Sequence, residues 1–204
     1  MPPVDDTTYE IRTAAPEDTG LVEALDGSFT TATVFHVETA ENGFTLREIR
    51  VDPPLTKVFP ADEDDEDDGD DGEGGDSGSE RDQEPQGAPT FLALAPDGSL
   101  AGFVSVAYAR WNRRLTIEDI EVAPDHRGRG VGRALMSRAE EFARERGAGH
   151  IWLEVTNINT PAIHAYRRMG FALCGLDTSL YEFTASAGEY ALYLSKPCRG
   201  ANRG

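Results

Sequence analysis

Residues 122–133 read Val-Ala-Pro-Asp-His-Arg-Gly-Arg-Gly-Val-Gly-Arg, a run that joins a strand pattern to a helix pattern through three glycines at alternate positions. Before it, Leu115 and Ile117, then Ile120 and Val122, alternate with acidic residues, which predicts a strand with a change of face or a bulge. After it, Val131, Leu135, Ala139, Phe142 and Ala143 fall at helical spacing up to Arg146, and Gly147 supplies the stop. Gly128, Gly130 and Gly132 bare the backbone where the helix begins. Its first N–H groups lack intrahelical partners and carry the positive end of the helix dipole, so they suit a pyrophosphate. Arg127, Arg129 and Arg133 add charge-assisted donors at the same point. A dinucleotide-binding turn has a related glycine pattern, but it follows a first strand and precedes an acidic residue about 20 positions on. The present turn follows several strand patterns and is crowded with arginine, which disfavours that alternative.

The flanking sequence completes an α/β pattern. Tyr9 to Arg12, Thr30 to Val37 and Phe44 to Val51 read as strands, with a helix from Pro16 to Leu25, and Pro53-Pro54 ends the third strand. Thr90 to Ala95 and Leu100 to Ala109 flank the turn Pro96-Asp97-Gly98. His150 to Thr156 is a strand, and Thr160-Pro161 opens a helix as N-cap and first-turn proline that Gly170 closes. Phe171 to Gly175 and Tyr190 to Ser195 are the last strands. Strands alternating with helices in the second half predict a sheet of mixed direction.

Composition bounds the function. Between Asp62 and Glu84 stand 14 acidic residues and one arginine, a net −13 of the chain's −18, so everything else carries only −5. That balance gives a nucleic-acid partner no support. The segment 62–89 has no aromatic residue and no apolar periodicity, and it reads as a disordered acidic linker within one domain spanning 1–204. No apolar run is long enough for a membrane span, and MPPVDDTTYE lacks a signal-peptide pattern. Cys174 and Cys198 give neither a disulfide framework nor a metal spacing, and Cys174 reads as a small core residue. The four histidines share no ligand spacing, so no metal is expected. A cytoplasmic, disulfide-free protein is the expectation.

At the level of motifs, Arg127-Gly-Arg-Gly-Val-Gly resembles the R/Q-x-x-G-x-G/A phosphate element of the GNAT acetyltransferase superfamily, preceded by Ile120-Glu-Val-Ala-Pro as that family's fourth strand. Further on, Asn159-Thr-Pro-Ala-Ile-His-Ala-Tyr-Arg-Arg-Met-Gly-Phe resembles its N-x-x-A-x-x-x-Y-x-x-x-G-F element. The resemblance implies a central, mostly antiparallel sheet flanked by helices, with the fourth and fifth strands splayed apart. It implies acetyl-CoA held by the turn residues Arg127 to Arg133, including Val131, by the open edge at Ile120, Glu121 and Val122, and by Asn159. Tyr166 would then sit near the thioester sulfur. By helical pattern alone Tyr166 shares a face with Ala162, Ile163 and Met169 and reads as core.

Acetyl transfer to an amine needs a neutral amine, a polarised carbonyl and a proton for the leaving thiolate. A phenol and a carboxylate fit those needs. Glu154, twelve residues before Tyr166, resembles the base of the ribosomal-protein alanine acetyltransferases, with Tyr166 as acid. Glu118, Asp119 and Glu121 on the neighbouring strand are rival bases. Along nearly the whole chain, Leu25-Asp-Gly-Ser-Phe, Trp111-Asn-Arg-Arg-Leu-Thr-Ile-Glu-Asp-Ile-Glu and Ile151-Trp-Leu-Glu-Val-Thr-Asn resemble the streptothricin (nourseothricin) acetyltransferases, which acetylate the β-lysine portion of that antibiotic. A polycationic substrate agrees with flanking carboxylates at Glu118, Asp119, Glu121, Glu154 and Asp26. Trp111 and Phe35 are candidates to line its pocket, with core or loop packing equally open. A protein N-terminal acetyltransferase and a non-catalytic acetyl-CoA-binding module are the alternatives. A homodimer is common in the superfamily.

Overall fold

The computed structural model describes residues 9–58 and 88–198. The acidic linker expected at 62–89 lies outside the described residues except for Ala88 and Pro89. Among the described residues a seven-stranded sheet and a two-stranded hairpin are accompanied by three α-helices. In chain order the elements are β1 (Glu10–Thr13), α1 (Thr19–Glu23) after a 3-10 turn at Pro16–Asp18, β2 (Phe29–Ala40), β3 (Gly43–Lys57), β4 (Thr90–Leu94), β5 (Leu100–Ala109), β6 (Arg114–Val122), α2 (Val131–Glu145), β7 (His150–Thr156), α3 (Thr160–Arg168), β8 (Ala172–Asp177) and β9 (Ala191–Pro197). The large sheet runs β1-β4-β5-β6-β7-β9-β8. Among the described residues only β6 and β7 are parallel neighbours, and the other pairs of this sheet are antiparallel. The mixed sheet expected from the sequence is therefore present. Among the described residues no helix is long and apolar enough to cross a membrane.

The core forms where the alternating strands meet the apolar stripe of α2. Leu135, Met136, Ala139 and Ala143 lie against Val104, Val106, Leu115, Ile117, Ile151 and Leu153, all essentially inaccessible to water. Each of the larger side chains contributes about 1.5–3 kcal/mol by that burial. The core thus fixes α2, and with it the glycine turn at the helix's start, against the end of β6.

Three expectations need correction. Pro53-Pro54 does not end β3, which continues to Lys57. The ladder breaks instead: Thr33 faces Arg50, whereas Thr31 faces Leu55, so the prolines sit in the skipped stretch where no ladder donor is required. Cys174 is exposed rather than core, because β8 is the sheet's outer strand and its first three residues face solvent. The helix from Pro16 is split into a 3-10 turn and a single five-residue helix.

Candidate active site

The site begins with a defect in β6. Ser105 faces Asp119 while Val106 faces Ile117, so Glu118 is one residue too many on that strand. Such a bulge bends and twists the strand that carries it. Pairing with β7 covers Arg114 to Ile117 only. Beyond Ile117 the two parallel strands part, and a cavity of about 560 Å³ opens between them. The expected bulge and the expected splay are the same feature.

The extra residue also resets the side-chain alternation. Ile120 and Val122 stay against the core with Leu115 and Ile117. Asp119 and Glu121 consequently project to the opposite face, which Glu154 shares because its neighbours Leu153 and Val155 are buried. Without the bulge both acids would point into the core. Backbone phase follows as well. Ala123 N–H donates to the Ala101 carbonyl at 3.0 Å, so the polar groups of Glu121 are turned toward β5 and those of Ile120 and Val122 toward the gap. Of the three edge residues expected, Ile120 and Val122 thus offer backbone, and Glu121 offers its side chain.

The glycine turn closes one end of the gap. Gly128 and Gly130 have φ of +75° and +90°, and a Cβ at either would meet nothing within 4 Å. Glycine is required there by backbone conformation, and the space in front of the backbone stays open. Gly130 caps α2 without a side-chain hydrogen bond, so the first-turn N–H groups are available to an anion. Arg127 folds back on the turn, donating from Nε to the Val122 carbonyl at 2.8 Å and from Nη2 to the Asp26 carbonyl at 3.3 Å. Gly128, Gly132 and Arg127 line the cavity, whereas Val131 is buried in the core and Arg129 and Arg133 are exposed beside it.

On the far side of the gap stand β7 and α3. Asn159, not Thr160, caps α3: its Oδ1 accepts from Ala162 N–H at 3.2 Å, while the Thr160 hydroxyl donates to the Thr33 carbonyl at 2.8 Å. Asn159 still lines the cavity. Tyr166 is 9% exposed, its ring edge-on to Phe171, and it lines the cavity together with Glu118, Asp119, Glu121 and Glu154. Burial, then the charges of Asp119 and Glu154, raise its phenol above the usual range, so it stays protonated at neutral pH. Burial also raises the carboxyl of Asp119. For Glu154 burial raises the pKa, the Tyr181 hydrogen bond opposes it, and Glu189 adds to it. Glu121 is pushed up to about 7, mainly by burial and then by Asp119, against the pull of Arg127.

Two expected substrate contacts are not at the site. Trp111 is 88% exposed in the β5–β6 turn, at the end of β6 where the strand is still paired. Phe35 is buried in the core, with the Arg167 guanidinium 4.7 Å over its ring, and its backbone exchanges hydrogen bonds with Asn157. Neither lines the cavity. Asp26 instead presents its carbonyl to Arg127, and its carboxylate accepts from the Ser28 amide.

Sequence reasoning missed Tyr181. It comes from the irregular segment between β8 and β9, where no periodicity marks it, and its hydroxyl donates to Glu154 Oε1. That segment is pinned from below: Lys57 Nζ donates to Glu189 Oε1 at 2.5 Å and to Ser186 Oγ at 2.8 Å, and Thr156 Oγ1 donates to Glu189 Oε2 at 2.6 Å. The ion-paired side chains are only 14% and 13% exposed. Lys57→Ala leaves a buried carboxylate without its cation and should cost about 3 kcal/mol, read as a drop in urea midpoint with an unchanged slope. A midpoint equal to wild type would show the pair to be a surface contact in energetic terms.

The acetyltransferase (GNAT) family model matches residues 45–171. A streptothricin acetyltransferase of Streptomyces lavendulae is 60% identical over 192 residues, 94% of this chain and 96% of that one. The crystal structure of a nourseothricin acetyltransferase superposes with a TM-score of 0.80 at 62% identity, covering 94% of this chain and 99% of that one. A Bacillus anthracis structure in complex with acetyl coenzyme A shares the fold at a TM-score of 0.70 and 23% identity, over 93% of this chain and 99% of that one.

Proposed function

Because the chain belongs to the acetyltransferase (GNAT) family, we propose that it carries an acetyl group from acetyl-CoA to an amino group in the β-lysine part of streptothricin, inactivating the antibiotic. The protein is an acetyl-CoA-dependent N-acetyltransferase of mixed α/β fold. The observation that carries the acceptor is the wall of carboxylates, Asp119, Glu121 and Glu154, on the face of the gap opposite the core. In a concave site these attract a polycationic ligand and orient its amines.

The donor side fits the residues present. The open N–H groups at the start of α2, with Arg127 behind them, would hold the pyrophosphate. The edge of β6 at Ile120 and Val122 would pair with the amides of the pantetheine arm, leading it toward Tyr166. Acetyl-CoA supplies a thioester whose carbonyl carbon an amine can attack. Glu154 takes a proton from the ammonium, and the lone pair so freed attacks the thioester carbonyl carbon to form the N–C bond. As the C–S bond breaks, Tyr166 gives its proton to the sulfur, and the second proton of the acylated nitrogen passes to the phenolate, directly or through water. Both groups suit these directions, since Glu154 is held above its ordinary pKa and Tyr166 remains a phenol.

The test is thiol release from acetyl-CoA by purified protein, with streptothricin and with a panel of peptides bearing free N-termini. Release with streptothricin and not with peptides is the expected result. Release with peptides alone would replace the acceptor, and silence with every amine would leave a binding module.

A further inference from the structure

A hydrogen bond in the cavity that the reaction above does not use joins Tyr181 to Glu154. The β8–β9 segment carries Tyr181 into the gap, where a local turn shapes its start and Glu189 ties its end to two strands. Asp177 Oδ1 accepts from the amides of Ser179 and Leu180 at its start, at 2.8 Å and 3.1 Å. Glu189, at its end, is bound to Lys57 on β3 and to Thr156 on β7. Tyr181 then donates to one oxygen of Glu154, which stands two residues before Thr156 on the same strand. The segment is thus tied to β7 at two points, Glu154 through Tyr181 and Thr156 through Glu189.

A carboxylate on a splayed strand has no neighbouring strand to restrain it on the open side, and its side chain retains rotamer freedom. A hydrogen bond from a ring with only two rotatable bonds removes that freedom. Fixing one oxygen on Tyr181 leaves the other free to meet an ammonium proton. Resting on the reading of Glu154 as the base, we propose that Tyr181 is a positioning residue, which holds the Glu154 carboxylate toward the incoming amine through the anchored β8–β9 segment. The groups that face Glu154 are Tyr181 and Glu189 from that segment, Tyr166 from α3 and Tyr193 from β9, with Asp119 and Glu121 of β6 across the gap. Of these, Tyr181 alone is bonded to it among the described contacts and favours its charged form.

The experiment is a pH series of steady-state kinetics on the full chain, with streptothricin and acetyl-CoA, for Tyr181→Phe, Glu154→Gln and the double variant. Tyr181→Phe should lower kcat/KM for streptothricin about tenfold and leave the KM for acetyl-CoA within about twofold. It should move the acid limb of the profile to higher pH, because the charged carboxylate loses a donor. The double variant should be no slower than Glu154→Gln alone, since Tyr181 acts through Glu154. A Tyr181→Phe enzyme with wild-type rate and acid limb, beside a slow Glu154→Gln, would overturn the positioning role and leave Glu154 in place. Losses that multiply in the double variant would also overturn it. Full turnover by Glu154→Gln would remove the base itself, and the positioning role with it.

Discussion

Replacing Tyr166 with Phe should lower kcat for streptothricin acetylation about a hundredfold, while acetyl-CoA binding stays within about twofold of wild type. The substitution removes one oxygen and keeps the ring, so the edge contact with Phe171 and the packing of α3 are preserved. What is lost is the proton that the departing sulfur needs. The phenol suits this task because of where it lies. Water is largely excluded from it, and the negative charges of Asp119 and Glu154 oppose its ionisation. It therefore remains a donor through the pH range in which an unperturbed tyrosine, with a pKa of about 10, would begin to ionise. Stopped-flow or steady-state thiol release, with calorimetric titration of acetyl-CoA, separates the chemical step from binding. A variant with unchanged kcat would hand the acid role to another group, and Tyr181 or solvent would be next in line.

The sequence made some parts of this site legible and left others unreadable, for physical reasons. The glycine turn was legible because only glycine takes positive φ without strain, so the backbone's needs are written directly into residues 128 and 130. The bulge was legible because the inward pattern of Leu115 and Ile117 resumes at Ile120, one residue late, with acids between. Tyr181 was not legible. Its place depends on contacts over long sequence distances, from Lys57 to Glu189 and from Tyr181 back to Glu154, and no local period reports these. Phe35 and Trp111 fail as pocket residues for a related reason. An aromatic residue identifies a burial or stacking opportunity, and only tertiary packing decides whether a guanidinium, the core or a ligand takes it. The N-cap of α3 moved by one residue because Asn159 and Thr160 are both competent caps, and Thr160 was claimed by the carbonyl of Thr33 in the hairpin.

Gly130→Val should weaken acetyl-CoA binding about thirtyfold or more, with a smaller effect on the fold than on affinity. Gly130 sits at φ +90°, where a β-branched residue is strained by about 1–2 kcal/mol or more, equivalent to about fivefold to thirtyfold or more in an equilibrium constant. Where that strain is felt depends on what occupies the space before it. A Cβ at Gly130 meets nothing within 4 Å beyond its chain neighbours, so the strain there is one of backbone conformation and not of a Cβ clash. The chain can relax by turning the Gly130 peptide, which leaves α2 anchored by Val131, Leu135 and Met136 in the core but takes the first N–H groups off their common direction. On the proposed reading those groups converge on the pyrophosphate, so the relaxation that spares the fold removes the ligand's donors. Gly130→Asn gives the comparison that isolates conformation from bulk, because asparagine tolerates left-handed backbone better than valine. Calorimetric affinities should rank glycine above asparagine above valine, with thermal midpoints ranked the same way but more closely spaced. Equal affinities for all three would mean that the pyrophosphate is held elsewhere. The exposed Arg129 and Arg133 would then be the first residues to test.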